Sequence, residues 1–254
     1  MIEPIKFDIV ADIYDYYVQA DFDLEFFLNE ANKTNGKVLE LTSGTGRVSV
    51  PLLKAGIDLT CVDYSEQMLA VLEKKVRENG LVCAIHKMDI AELSLRRKYD
   101  LFLIPFNSLS EITDREKHRQ TLTGVAEHLT DTGVFICTMH NPGKRLKTVD
   151  RLVRQMGDYR IEGEGRLIIQ YVFNYDQDSQ IVSGNQFYEI YDQHHKLIEK
   201  RILDVNFYLF HKAEFETLIK QCGFAVIDLY GDYHYSPFEE ANSPYLIWKL
   251  KKKS

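Results

Sequence analysis

The chain has 254 residues, 45% of them hydrophobic and 27% charged, and a net charge of -7. That length suits one sizeable domain or a domain with an insert, and the acidic balance argues against a general nucleic-acid binder, which needs a basic face. No apolar run approaches bilayer-spanning length and the N-terminus lacks an apolar signal core, so a cytoplasmic protein is expected.

The stretch from Ile13 to Phe27 is rich in tyrosine and acids. From residue 37 strands and helices alternate. Val38–Leu41 reads as a strand and Arg47–Ala55 as a helix stopped by Gly56; between them lies a Gly-x-Gly turn at Gly44 and Gly46. Asp58–Asp63 is a second strand. Ser65 is placed to cap a helix over Glu66–Asn79, which Gly80 ends. Leu81–His86 and Tyr99–Pro105 are further strands, and the continuous apolar run of the latter suits burial on both faces. Thr113-x-x-Glu116 reads as a capping box for a helix ending near Leu129, before a fifth strand over Gly133–His140.

The rhythm changes after Pro142. A short helix is expected over Lys144–Met156, then three strands over Gly165–Tyr175, Ser183–Tyr191 and Ile198–Phe210. In the last, Leu203, Val205, Phe207 and Leu209 alternate with polar residues, as in a half-exposed antiparallel sheet. A helix over Ala213–Cys222 and strands over Phe224–Tyr230 and Tyr245–Leu250 return to the first pattern. The predicted fold is α/β: a Rossmann-like, doubly wound, mostly parallel seven-stranded sheet with an antiparallel β insert after strand five. Residues 37–142 and 211–254 form the core and residues 143–210 the insert. The cysteines, Cys61, Cys83, Cys137 and Cys222, are far apart without a Cys-x-x-Cys pair, so reduced thiols and no metal site are expected.

Three acids fall at successive strand ends, where such sheets bind ligands. Glu40 stands beside the glycine turn, Asp63 ends strand two and Asp89 follows strand three. Asp63 suits ribose hydroxyls and Asp89 an adenine amino group. A NAD site would use the same Asp63 but prefers glycine where Ser49 stands, and Glu40 would repel its pyrophosphate. Glu40 instead attracts a ligand carrying an ammonium and a sulfonium, as S-adenosylmethionine does. A NAD-type oxidoreductase and a non-catalytic S-adenosylmethionine-binding protein stay open as alternatives.

Val38-Leu-Glu-Leu-Thr-Ser-Gly-Thr-Gly-Arg, Val62-Asp-Tyr-Ser-Glu-Gln-Met-Leu, Met88-Asp-Ile and Tyr99-Asp-Leu-Phe-Leu-Ile-Pro-Phe-Asn-Ser together resemble the class I S-adenosylmethionine-dependent methyltransferases. The resemblance implies that Glu40 and the turn, Thr42, Ser43, Gly44, Gly46 and Arg47, bind the methionyl part. It implies Asp63 on the ribose, Asp89 on the adenine edge, and Tyr64, Met68 and Ile90 around the adenine ring. Pro105 borders the cofactor, with Asn107 and Ser108 near the methyl group. The family usually has Gly-Cys or Gly-Ser where this chain has Thr42-Ser43; a β-branched Thr42 is expected to keep an ordinary φ.

The Tyr-Asp segment before strand one, with Tyr14, is similar to the lid of glycine and amino-sugar N-methyltransferases, so residues 1–36 are expected to form a helical lid. The insert resembles their substrate cap, though its tyrosines suit a homodimer surface equally. Pro105-Phe-Asn-Ser is not the Asn-Pro-Pro-Tyr of enzymes that methylate planar amides or adenine amines. A small-molecule acceptor is therefore expected, nitrogen before oxygen, methylated by in-line displacement with S-adenosylhomocysteine as product. His140, His211 and Tyr17, in that order, are the candidate bases.

Overall fold

In the computed structural model, residues 2–34, 36–161, 163 and 165–253 are described. The N-terminal segment carries a 3-10 turn over Phe7–Val10 and two helices, α1 (Tyr14–Tyr17) and α2 (Leu24–Asn32). The α/β core then unrolls as β1 (Val38–Leu41), α3 (Ser49–Lys54), β2 (Leu59–Asp63), α4 (Glu66–Glu78), β3 (Ala84–Lys87), β4 (Tyr99–Ile104), α5 (Arg115–His128) and β5 (Leu129–His140). A short α6 (Pro142–Arg145) leads to β6 (Arg154–Ile161), β7 (Gly165–Asp176), β8 (Ile181–Tyr191) and β9 (Leu197–Tyr208). The chain closes with α7 (Lys212–Gln221), β10 (Phe224–Tyr230) and β11 (Tyr245–Lys252).

The main sheet has seven strands in the order β10-β11-β5-β4-β1-β2-β3. β1 to β5 run parallel, and β11 is antiparallel to both its neighbours. Every residue of β1 and β2 is buried, Glu40, Thr60 and Asp63 included, as expected of largely apolar strands covered on both faces. One face packs on Leu122 and Val125 of α5 and Phe215 and Ile219 of α7. The other packs on Phe26 and Phe27 of α2, Leu52 of α3 and Leu69 and Leu72 of α4. The strand order reverses between β1 and β4, which opens a crevice at their carboxyl ends.

β6 to β9 form a separate four-stranded antiparallel sheet, one strand more than the sequence suggests. The helix expected over Lys144–Met156 stops at Arg145, a 3-10 turn follows over Leu146–Thr148, and Arg154 already pairs with Tyr171. Long-range pairing with β7 overrides a local preference that was weak in either direction. The cap of α5 also moves by one residue. Asp114 Oδ1 accepts from Glu116 N at 2.8 Å, a carboxylate doing what was assigned to Thr113. Among the described residues no helix is long and apolar enough to cross a membrane.

The N-terminal segment lies between the two sheets. Ile5, Val10, Ala11 and Ile13 join one apolar cluster with Leu167, Ile169, Val182 and Leu203 of the second sheet. Four of its acids tie it down. Asp8 accepts from Ser65 Oγ at 2.7 Å, Asp12 pairs with Arg201 at 2.5 Å, Asp15 with Lys75 at 2.6 Å and Asp23 with Arg47 at 2.5 Å.

Candidate active site

The turn after β1 is built from left-handed residues. Thr42 has φ 58°, Gly44 φ 54° and Gly46 φ 86°, so Thr42 does not keep the ordinary φ expected of it. The turn is over-determined by its neighbours: Ser43 N donates to Val62 O at 3.0 Å and Gly46 N to Ser43 O at 2.9 Å. Those bonds hold Thr42 in a conformation its branched side chain disfavours. A Cβ on Gly46 would stand 2.4 Å from Leu72 Cδ1, whereas one on Gly44 would meet nothing within 4 Å. Gly44 therefore leaves the space beside its Cα open to a close approach by a ligand, while its N–H is held by Asp63.

Glu40 is 1% exposed and accepts from Ser49 Oγ at 2.6 Å. Burial pushes its carboxyl up to about 8, against the pull of Ser49 and Arg47. Asp63 accepts from Gly44 N at 2.8 Å and Ser65 N at 2.9 Å, so it fastens the glycine turn to the start of α4. Burial raises its pKa despite those bonds. Asp89 accepts from Ala91 N at 2.9 Å and Lys117 Nζ at 2.8 Å. Burial pushes Asp89 up, but Lys117 outweighs it and holds the carboxyl below its usual range.

Three cavities meet over these strand ends. The largest, about 660 Å³, runs between Tyr64, Asp89, Ile90, Glu111 and Lys117 and is roofed by Ile2 to Ile5. Tyr64 Oη donates to Ile5 O, which pins that roof. Thr42 and Ser108 lead from it into a small space of about 50 Å³ beside the turn, lined by Tyr14, Glu40, Ser43, Gly44, Arg47 and Pro105. Tyr14 and Phe106 then border a third cavity of about 410 Å³, walled by Tyr17, Asn107, His140, Arg145, Phe207, Tyr233 and Tyr245. Ile5 and Glu111 line the first and the third.

Some predicted residues are placed elsewhere. Met68 is 3% exposed and packs under the N-terminal segment instead of lining a cavity. His211 is exposed at the start of α7, away from all three spaces. Gly46 sits behind the turn and Asp63 beneath it. Arg47 borders the small cavity, but its guanidinium is committed to Asp23, to Ala20 O at 2.8 Å and to the Phe106 ring at 4.6 Å.

His140 and Tyr17 do reach the third cavity, yet neither is a ready base. Burial and the charge of Arg145 push the His140 imidazole down to about 3, leaving it neutral and weakly basic. Burial raises the Tyr17 phenol, which shares a 3.1 Å hydrogen bond with Tyr188 Oη. Glu111 has the complementary character. Loss of water and the charge of Asp63 push it up to about 8. Phe106 and Asn107 follow β4 with φ of 57° and 63°, two strained residues in succession, and Asn107 Oδ1 is buried without a hydrogen-bond partner among the described residues.

Sequence reading placed Tyr14 and Tyr17 at the pocket but missed Glu111, Arg145 and the part of the aromatic wall supplied by Tyr233 and Tyr245. Glu111 stands one helical turn past Asn107, a fourth acid near a strand end, and that position was its signal. Nothing local marks Tyr233 and Tyr245, which arrive from the far end of the chain.

A family model described as a methyltransferase domain matches residues 38–133. A glycine/sarcosine N-methyltransferase of Halorhodospira halochloris is 26% identical over 244 residues, covering 95% of this chain and 85% of that protein. Among solved structures, an S-adenosylmethionine-dependent methyltransferase from Clostridium acetobutylicum superposes with a TM-score of 0.81 at 20% identity, covering 98% of this chain and 99% of that one. A sugar N-methyltransferase from Streptoalloteichus superposes with a TM-score of 0.75 at 16% identity, covering 95% and 92%.

Proposed function

We propose that this chain, which belongs to the class I S-adenosylmethionine-dependent methyltransferases, methylates an amine nitrogen of a small molecule held in the 410 Å³ cavity. S-adenosylmethionine, when bound, supplies a methyl carbon already activated by its sulfonium. The residues present suit it: an unobstructed Cα face at Gly44, a buried carboxyl at Glu40 and a long cavity ending at Asp89. In this reading Glu40, Thr42, Ser43 and Gly44 hold the methionyl part, Asp63 the ribose through the turn it braces, and Tyr64, Asp89 and Ile90 the adenine. Residues 1–36 act as lid and residues 143–210 as cap over the core.

The observation that carries the choice of nitrogen is Glu111, which lines both the cofactor-sized cavity and the aromatic one. A carboxylate at that junction attracts an ammonium and takes a proton from it, leaving the lone pair free for displacement. Asn107 Oδ1 offers the second contact, an acceptor for the remaining N–H. Tyr14, Tyr17, Phe106 and Tyr245 surround the place with aromatic surface that favours a cation and excludes water. The activities named for the relatives, glycine/sarcosine and sugar N-methylation, agree with an amine acceptor.

Titration calorimetry with S-adenosylhomocysteine, followed by mass spectrometry of a panel of amines and alcohols, tests this reading. Binding and a methylated amine are expected, with Glu111→Gln slowing turnover by about 10²-fold or more. Preferential methylation of hydroxyls would overturn the choice of acceptor, and absence of homocysteine-cofactor binding would overturn the site itself.

A further inference from the structure

Arg145 closes α6 and reaches the 410 Å³ cavity from the side of the second sheet. Its guanidinium lies 5.2 Å from the Phe173 ring centre and 4.9 Å from that of Phe207. Nη1 donates to Thr148 Oγ1 at 3.0 Å, but Nε is buried without a hydrogen-bond partner among the described residues. Other shielded cations in the fold meet an acid: Arg47 has Asp23, Lys249 has Glu30 and Arg201 has Asp12. Among the described residues Arg145 has no carboxylate within ion-pair distance.

A guanidinium does not shed its proton to escape this position, so the charge remains in a poorly hydrated place. Burial pushes its pKa below the ordinary range, as expected of an uncompensated cation. The two phenyl rings offset part of that penalty but accept none of its N–H bonds. His140, neutral beside it, provides no counter-charge. The cavity is thus bipolar, with the acid Glu111 where it meets the cofactor space, Arg145 toward the second sheet, and aromatic walls between.

We propose that the acceptor carries an anionic group, a carboxylate or a phosphate, seated on Arg145, so that the substrate is a zwitterion with its amine at Glu111 and an apolar spacer along the aromatic walls. This rests on the amine reading above. The volume admits a body larger than a minimal amino acid, within the range of about 300–1,000 Å³ usual for metabolite sites. Arg145 stays bound to the anion before and after transfer, so its loss raises KM with little change in kcat.

The test uses the full chain saturated with S-adenosylhomocysteine and calorimetric titration of benzoate, phenylphosphate and benzamide. At least one anion is expected to bind about tenfold or more tightly than the neutral amide, and the tighter of the two identifies the anion. Arg145→Gln should abolish that preference with the homocysteine-cofactor affinity unchanged, and Arg145→Lys should keep part of it. Equal affinity for benzamide and both anions in the unaltered protein overturns the proposal, as does an anion preference that survives Arg145→Gln. The unaltered protein decides the matter even if a variant fails to fold. Failure of the cofactor titration, or methylation of alcohols alone, would instead sink the amine reading and is read separately.

Discussion

At the scale of single residues the site is an arrangement of groups held away from their solution preferences. Thr42 is the simplest case, a branched residue kept at φ 58° by the bonds on either side of it. Thr42→Gly should relieve that strain and stabilise the fold by about 1 kcal/mol, after the greater freedom glycine has when unfolded, raising Tm by about 2–4 °C in a thermal melt. Glu40 is held near neutrality by burial, with a pKa of about 8. Its charged form attracts an ammonium, so the dissociation constant for S-adenosylmethionine should fall as pH rises from 7 to 9. Glu40→Gln should flatten that slope and weaken binding by about tenfold, both read by calorimetry. The acids of the proposed cofactor site were legible because Glu40, Asp63 and Asp89 each lie at or just past an apolar run whose end is visible in the sequence. Glu111 and Arg145 were not, because each follows a strand by several residues and depends on a turn's path for its position.

At the scale of elements, strands buried on both faces announced themselves, and so did the half-exposed β7, β8 and β9 through their alternation, but β6 did not. β1, β2 and β4 are nearly continuous in apolar residues, whereas β6 exposes alternate side chains, and only its first residues, Arg154 to Met156, fall within an expected element, a helix. Its identity comes from β7, a partner that local sequence does not name. The N-terminal segment is likewise positioned by contacts distant in sequence, and its latches differ in worth. Asp23 is fully buried against Arg47, so Asp23→Ala leaves a shielded guanidinium alone and should cost about 3–5 kcal/mol by denaturant unfolding. Asp12 is 61% exposed in its pair with Arg201, and Asp12→Ala should cost no more than about 1 kcal/mol. Equal effects would show that the segment is held by its apolar face alone.

At the scale of the whole molecule, the same groups shape stability against pH. Glu40 and Glu111 have folded pKa values raised to about 8 from 4.5, so the folded state holds protons that the unfolded state releases. Their contribution is complete below about 4.5 and is lost as pH rises toward 8. His118 and His140 are depressed to about 4 and about 3 from 6.5 by burial, so their contribution is present above 6.5 and lost as pH falls toward those values. The ligand-free chain should therefore melt highest between about pH 4.5 and 6.5, and Glu111→Gln should lift the alkaline side of that curve. A maximum near pH 8 would contradict the burial of these carboxyls.

The placement of Ile2 to Ile5 over the largest cavity and of Phe7 to Phe22 along the next makes one stretch of chain the door to both. On the lid reading proposed above, neither the cofactor nor the acceptor exchanges while that door is fastened, and the interval between turnovers follows how long a few carboxylate–cation contacts last. Such contacts loosen as dissolved ions screen them. Product release should then quicken with added sodium chloride, and a stopped-flow measurement of S-adenosylhomocysteine dissociation would show the enzyme keeping time by ionic strength.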